Sequence, residues 1–367
     1  MISLADTLDR VLPRTAPDLV SRAVGERLRV VAREIPAALS DWLYLEFGLD
    51  AASERVDLIV RVTAERRALL APGHPVQPFG DRLRAHPLWA RVQALARAWT
   101  DPAGPLDSTV SGIWLEFDLD PDRAPETAPG VFVDFTRAAF TTGSAAARAA
   151  LAEAAVAPLV RQPRPAASVG ALRRCFTALP SAASVPYVGV LLPRGDDVVR
   201  VCVSGLDAPD IGPYLAAVRW PGPPDELHDV VRSLREEAHG PLPIIALLHL
   251  DVGTHVQPRI GVEFAFDRRS QVRGAVDELG FLDALVARSL CAPASRDVLV
   301  RWPGCTTARM RHELWPSVVM RRLNHVKVQY TPGAPLQVKG YLCVAHRYWR
   351  ARSGALPARP PTDSSIE

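Results

Sequence analysis

The chain has 367 residues, 48% hydrophobic and 23% charged, with a formal net charge of +3, which suits one large or two medium soluble domains with a sizeable core. So even a charge balance gives no footing for nucleic acid, whose phosphates call for segregated basic residues, and no run of about 18 apolar residues suggests a membrane span. Five cysteines, Cys175, Cys202, Cys291, Cys305 and Cys343, form no Cys-x-x-Cys pair and fit reduced thiols in a cytoplasmic protein.

The N-terminus reads as an amphipathic helix capped by Ser3, without the charge pattern of a signal peptide. Residues 18–35 place Val20, Val24, Leu28, Val31 and Ile35 on one helical stripe, which Pro36 ends. A hairpin follows, 43–50 with 56–62. Its apolar face is Leu43, Leu45, Phe47, Leu58, Val60 and Val62, and its polar face holds Trp42, Tyr44, Glu46, Asp57 and Arg61. Residues 81–99 return to helical spacing, and then 113–120 repeats 43–50 almost word for word, Ile-Trp-Leu-Glu-Phe-Asp-Leu-Asp against Leu-Tyr-Leu-Glu-Phe-Gly-Leu-Asp. The return strand is 131–135. Helices are predicted over 143–160, 225–237, 271–290 and 306–320, and further hairpins at 187–192 with 198–204, 246–253 with 260–264, and 324–346. Anchored on Leu45, Leu115, Val190, Leu248 and Val328, the hairpins recur at spacings of 70, 75, 58 and 80 residues. The reading is five helix-hairpin units. A Pro-rich joint near 161–168 divides the chain into an N-terminal half, 1–162, with two units and a C-terminal half, 163–350, with three, followed by a disordered tail, 351–367.

The last hairpin holds the only two lysines, Lys327 and Lys339, among 43 basic residues. If Tyr330 faces Leu336, the two lysines lie directly opposite each other on the polar face. Like charges so placed call for an anionic partner: a protein carboxylate, a phosphate or an acidic group of a peptide. The bland alternative is a pair of solvated lysines.

Hairpins with one apolar and one polar face predict an α+β fold. An antiparallel sheet or barrel has helices on one side, and its other side is either a chamber or an open groove. From that polar face the candidate ligand-binding set is Trp42, Tyr44, Glu46, Trp114, Glu116, Asp118, Asp134, His249, Asp251, Glu263, Lys327, Lys339 and Tyr341, with Asp57, Arg61, Phe132, Arg200 and Gln329 on the same side. Aromatics among charges of both signs suit an extended, zwitterionic or amide-rich ligand. No glycine-rich phosphate loop, His-Glu-x-x-His or Gly-x-Ser-x-Gly occurs. His249-Leu-Asp251 with His325 or His346 has the spacing of an iron triad, a match that chance supplies readily, and no metal or other cofactor is expected. His249 held by carboxylates would serve as an acid or base.

Five helix-hairpin units with a polar strand face resemble the αββα barrel of aromatic prenyltransferases. That resemblance implies Lys327, Lys339, Arg61, Arg200 and Tyr341 around an isoprenyl diphosphate, with Glu46 or Glu116 accepting the acceptor's proton. The face carries as many acids as bases, however, and no Asp-Asp-x-x-Asp motif, which weighs against a diphosphate. The duplicated Leu-Glu-Phe hairpin, the Arg/Ala/Pro-rich composition and the lack of catalytic motifs also resemble the paired peptide-binding proteins of crocagin-type pyrroloindoline pathways. The expectation is therefore a non-catalytic protein that holds a ribosomal precursor peptide, with a modifying enzyme as a further partner. A barrel prenyltransferase is the alternative.

Overall fold

The computed structural model describes residues 3–15, 20–50, 55–71, 79–119, 128–195, 197–238, 244–266, 279–308 and 317–348. The expected tail, 351–367, lies outside them.

Ten strands close a ring. In chain order they are β1 (Trp42–Gly48), β2 (Val56–Thr63), β3 (Val110–Phe117), β4 (Gly130–Phe135), β5 (Ser184–Val190), β6 (Val199–Ser204), β7 (Ile244–Val252) and β8 (Val256–Ala265). After β9 (Gly304–Ala308) come β10 (Ser317–Tyr330) and β11 (Gln337–Tyr348). Each of the first seven pairs antiparallel with the next, β8 pairs with β10, β10 with β11, and β11 returns to β1. β9 stands outside the ring against the first residues of β10. A closed ring leaves no exposed edge for another chain to extend.

The side-chain alternation decides what faces where. Leu43, Leu45, Phe47, Val60, Leu115, Val133, Val201, Leu250, Val262 and Val328 point outward and join one core with the helices. Those helices are α1 (Ala5–Val11), α2 (Arg22–Arg33), α3 (Asp81–Ala85), α4 (Trp89–Thr100), α5 (Arg137–Thr141), α6 (Ala145–Val156), α7 (Ala166–Thr177), α8 (Ala208–Ala217), α9 (Pro224–Glu236), α10 (Leu279–Ala287) and α11 (Pro293–Arg301). α2 contributes Val24, Leu28 and Val31 to that core, and α4 contributes Val92, Leu95 and Trp99. A separate, smaller apolar cluster, Trp42, Tyr44, Ile59, Tyr341 and Cys343 with Trp114 against it, lies on the other side of the strands, inside the ring. The architecture is thus an α+β antiparallel barrel with the helices outside.

The lysine hairpin has the expected register, with Lys327 opposite Lys339 and Gln329 opposite Gln337. Three local expectations need correction. Residues 304–308 and 317–320 are strand, not a helix over 306–320: Gly304, at φ 157, enters β9 after Trp302-Pro303, and the valines at 318 and 319 join the long β10. The stretch 81–99 is two helices, broken at His86-Pro87 where proline removes a donor. Ser3 does not cap α1; it bridges to Pro36, and its backbone N–H meets the Asp6 carboxylate at 3.4 Å. Across the expected joint β4 pairs with β5, and α7 begins at Ala166.

Candidate functional site

Alternation along the strands turns a polar set of side chains into the barrel. At one end sits Glu46, only 2% exposed. Its Oε1 accepts a short hydrogen bond from the Lys339 ammonium, and its Oε2 lies 3.9 Å from Lys327 Nζ. Burial alone would raise this carboxyl, but the two lysines outweigh it and hold Glu46 well below the usual carboxylate range. The opposed lysines therefore do have an anionic partner, a carboxylate of the protein itself.

Beside Glu46 stand Asp57 and Glu116, and one oxygen of each of the three lies within 4.8 Å of the others. Burial raises both the Asp57 and the Glu116 carboxyl, and the Glu46 charge adds to it. Arginines offset the cluster: Arg55 reaches Asp57 at 3.0 Å and Asp118 at 2.9 Å, and Arg194 reaches Glu116 at 3.1 Å as well as Asp118. The three carboxylates could ligate a cation by geometry, yet the surrounding ammonium and guanidinium groups already occupy that role. Next to them opens a cavity of about 290 Å³ lined by Glu46, Asp57, Arg55, Arg194, Arg259 and Lys339 among others.

Further round the ring Arg200 grips Asp251 with two bonds of 2.7 and 3.0 Å, and Arg259 adds a third at 2.8 Å. Burial of Asp251 is outweighed by Arg200 and Arg259, which drive its carboxyl far below the ordinary value. His249 and Asp251, neighbours in the sequence pattern, thus serve different partners. His249 Nε2 is 2.7 Å from Glu263 Oε1, and its Nδ1 is 3.4 Å from the Cys202 thiol. An ionised Glu263 only accepts, so His249 carries its proton on Nε2 and the thiol donates to Nδ1. Burial opposes the Glu263 charge, but His325 and His249 lead the groups that hold it at about 2. Burial likewise lowers His249, and pushes His325, 3.3 Å from the same Glu263 oxygen, down to about 4. Burial also raises the Cys202 thiol steeply, and the Glu263 charge adds to that. This thiol is a hydrogen-bonded neutral group, not a nucleophile.

Between these networks runs an aromatic column. Tyr44 stacks on Trp114 at 5.0 Å, Trp42 meets Tyr44 edge-on at 6.4 Å, and Arg61 lies over Trp114 while bonding Asp134 at 2.8 Å. Tyr341 stacks on His325 at 3.9 Å and carries the Lys327 ammonium 4.8 Å above its ring. Burial and the Glu46 charge raise its phenol far above the ordinary value, so it stays protonated.

All thirteen sequence candidates thus belong to the lumen or its rim, with Asp118 one residue beyond β3. Four residues that complete the charge pairs escaped them. Arg55 and Arg194 sit in connections outside the alternating pattern, Arg259 near the start of β8 lies outside the apolar run, and His325 shares the parity of Lys327 but begins after a bulge.

No family model matches the sequence, and no curated protein is similar to it. Solved structures are. The prenyltransferase PriB in its apo form is 17% identical, with 92% of this chain and 94% of that chain covered at a TM-score of 0.51. A 5-dimethylallyltryptophan synthase from Streptomyces coelicolor is 18% identical, covered at 93% and 97% with a TM-score of 0.50. A 6-dimethylallyl tryptophan synthase is 14% identical, covered at 92% and 94% with a TM-score of 0.53. At such identities the likeness is one of fold, and the barrel has the architecture of the aromatic prenyltransferases. Nothing in these similarities supports the crocagin-type resemblance. Among the described residues no helix is long and apolar enough to cross a membrane.

Proposed function

We propose that the protein is an aromatic prenyltransferase, moving an isoprenyl group from its diphosphate to an aromatic acceptor inside the barrel. The observation that carries this reading is Glu46: a buried, ionised carboxylate at the wall of the 290 Å³ cavity, beside the lumen's aromatic column. In the reaction the allylic C–O bond breaks and its electron pair leaves with the diphosphate. The acceptor ring carbon forms the new bond, and the ring proton passes to Glu46. Lys339, Arg55, Arg194 and Arg259 line the cavity where a diphosphate would sit. The faces of Tyr44, Trp114 and Tyr341 suit a transient allylic cation. We read the five consecutive hairpins as copies of one helix-hairpin unit, on the strength of the match between 43–50 and 113–120.

One observation favours a second reading, a lumen that holds an aromatic-bearing peptide without chemistry. Each of these four cations already has a carboxylate partner, so a diphosphate must take them over from Asp57, Asp118, Glu116, Asp251 and Glu46. The test is incubation with dimethylallyl diphosphate and a panel of aromatic amino acids and peptides, read by mass spectrometry for the added isoprenyl unit, with calorimetry of the diphosphate alone. The proposal expects product, lost in Glu46→Gln while the diphosphate still binds. Peptide binding with no heat from the diphosphate would replace it with the second reading.

A further inference from the structure

The barrel's other mouth is built differently. It lies at the start of β1, where Trp42 faces Ala345 of β11, whereas the cavity lies at the end of β1, where Gly48 faces Lys339. Around the Trp42 ring stand Arg322, 5.5 Å from its centroid, and Arg347, at 6.0 Å. Arg347 and Arg66 share one carboxylate, Asp41, at 3.5 and 3.3 Å. Arg322 has no ion-pair partner among the described residues. Glu65 is a second carboxylate beside Arg66, so three guanidiniums face two carboxylates here and one positive charge is left over, while the cations lining the cavity are matched acid for base.

The hydrogen-bond inventory points the same way. Arg322 Nη2, Arg66 Nη1 and Trp42 Nε1 are buried without a hydrogen-bond partner among the described residues. All three are donors, and leaving a buried donor unmet costs free energy. The missing element is an acceptor, and the local charge excess makes it an anion. A planar carboxylate fits the guanidinium fork best, since it takes two parallel bonds from one arginine. Below Trp42 the lumen continues as the Tyr44–Trp114 stack, so the body attached to that anion meets aromatic faces.

We infer that the Trp42 mouth is a carboxylate-binding subsite, formed by Arg322, Arg347 and Trp42 Nε1, for an aromatic ligand that carries a free carboxylate. The ligand's carboxylate accepts from Arg322 and from the indole N–H, and Arg347 shares the charge. The subsite goes beyond the proposed transfer and stands or falls without it, because it binds with no diphosphate present. The ligand is either a free aromatic amino acid or the C-terminal end of a peptide.

The experiment is calorimetry of the full chain against N-acetyl-L-tyrosine and N-acetyl-L-tyrosinamide, which differ in the carboxylate alone, and against a short tyrosine-ended peptide in acid and amide forms. The acid should bind about tenfold tighter than the amide, the worth of a charge-assisted hydrogen bond. Arg322→Gln should erase that preference, and Arg91→Gln, in α4 and bonded to the Leu159 carbonyl, should keep it. Preference in the small pair assigns the free amino acid, and preference in the peptide pair alone assigns the peptide. Equal binding of acid and amide in both pairs, or no binding of any of the four, overturns the subsite. The comparison on the unmutated protein decides this even if Arg322→Gln folds poorly. Failure of prenyl transfer with the acid preference intact sinks the transfer alone.

Discussion

At the scale of single residues, the two lysines carry the argument furthest. Facing each other across β10 and β11, they would repel, and Glu46 resolves the conflict by lying against both. A buried ion pair of this kind adds little over a well-packed apolar pair, but stranding one partner is costly. Lys339→Ala should therefore destabilise the fold by about 3 kcal/mol. The double variant Glu46→Gln/Lys339→Met should lose clearly less than the sum of its two single changes. Urea denaturation of the four proteins measures the cycle, and additive losses would mean the pair is uncoupled. The register of the lysines was legible because strand alternation has a strict period. Their partner was not, because Glu46 lies 293 positions from Lys339 and no local pattern carries that distance.

At the scale of elements, alternation located the barrel strands to within a few residues, yet it missed β9 and the first turns of β10. There the valines at 318 and 319 stand side by side, and a run without alternation reads as readily as helix. Glycines show how tightly the strands are held. A Cβ added to Gly189 of β5 would lie 2.4 Å from the Phe132 ring and 2.8 Å from the Val131 carbonyl oxygen. Backbone cannot yield there, so Gly189→Ala should cost about 1–3 kcal/mol, as overpacking does. Gly170 in α7 is the opposite case. Its added Cβ would meet nothing closer than Arg174 Nη1 at 3.8 Å, and helical alanine outranks glycine, so Gly170→Ala should stabilise by roughly 0.5–1 kcal/mol. Thermal unfolding of the two variants would then shift in opposite directions. A shared sign would contradict the packing described for one of them.

At the scale of the whole molecule, closure is what the sequence could not reveal. Alternation says which side of each strand is wet, but an open sheet and a ring satisfy it equally, and only the return of β11 to β1 makes the polar side an interior. Closure is also why titratable groups on strands far apart in sequence share one buried network, with a consequence for stability against pH. His325 faces Glu263 of β8, His249 of β7, Glu46 of β1, Lys327 on its own strand and the Tyr341 ring of β11. Burial, helped by Lys327 and His249, lowers it from the ordinary 6.5 to about 4, although Glu263 pulls the other way. Between those values the unfolded chain binds a proton that the folded chain refuses, so stability falls as pH falls. The loss from His325 approaches about 3 kcal/mol near pH 4. His249, also lowered by burial, acts in the same direction. Glu263, held at about 2 against an ordinary 4.5, contributes stability that is present above 4.5 and is lost as pH falls toward 2. Asp57, Glu116 and Asp134, raised by burial, oppose the trend, because folding helps them hold their protons. His325→Phe keeps a ring against Tyr341 and removes the titration. Chemical denaturation from pH 7 down to pH 4.5 should therefore show a shallower fall in stability for His325→Phe than for the unmutated protein. Parallel curves would mean that His325 titrates alike folded and unfolded, which a buried residue of a closed barrel, packed beside Lys327, would not do.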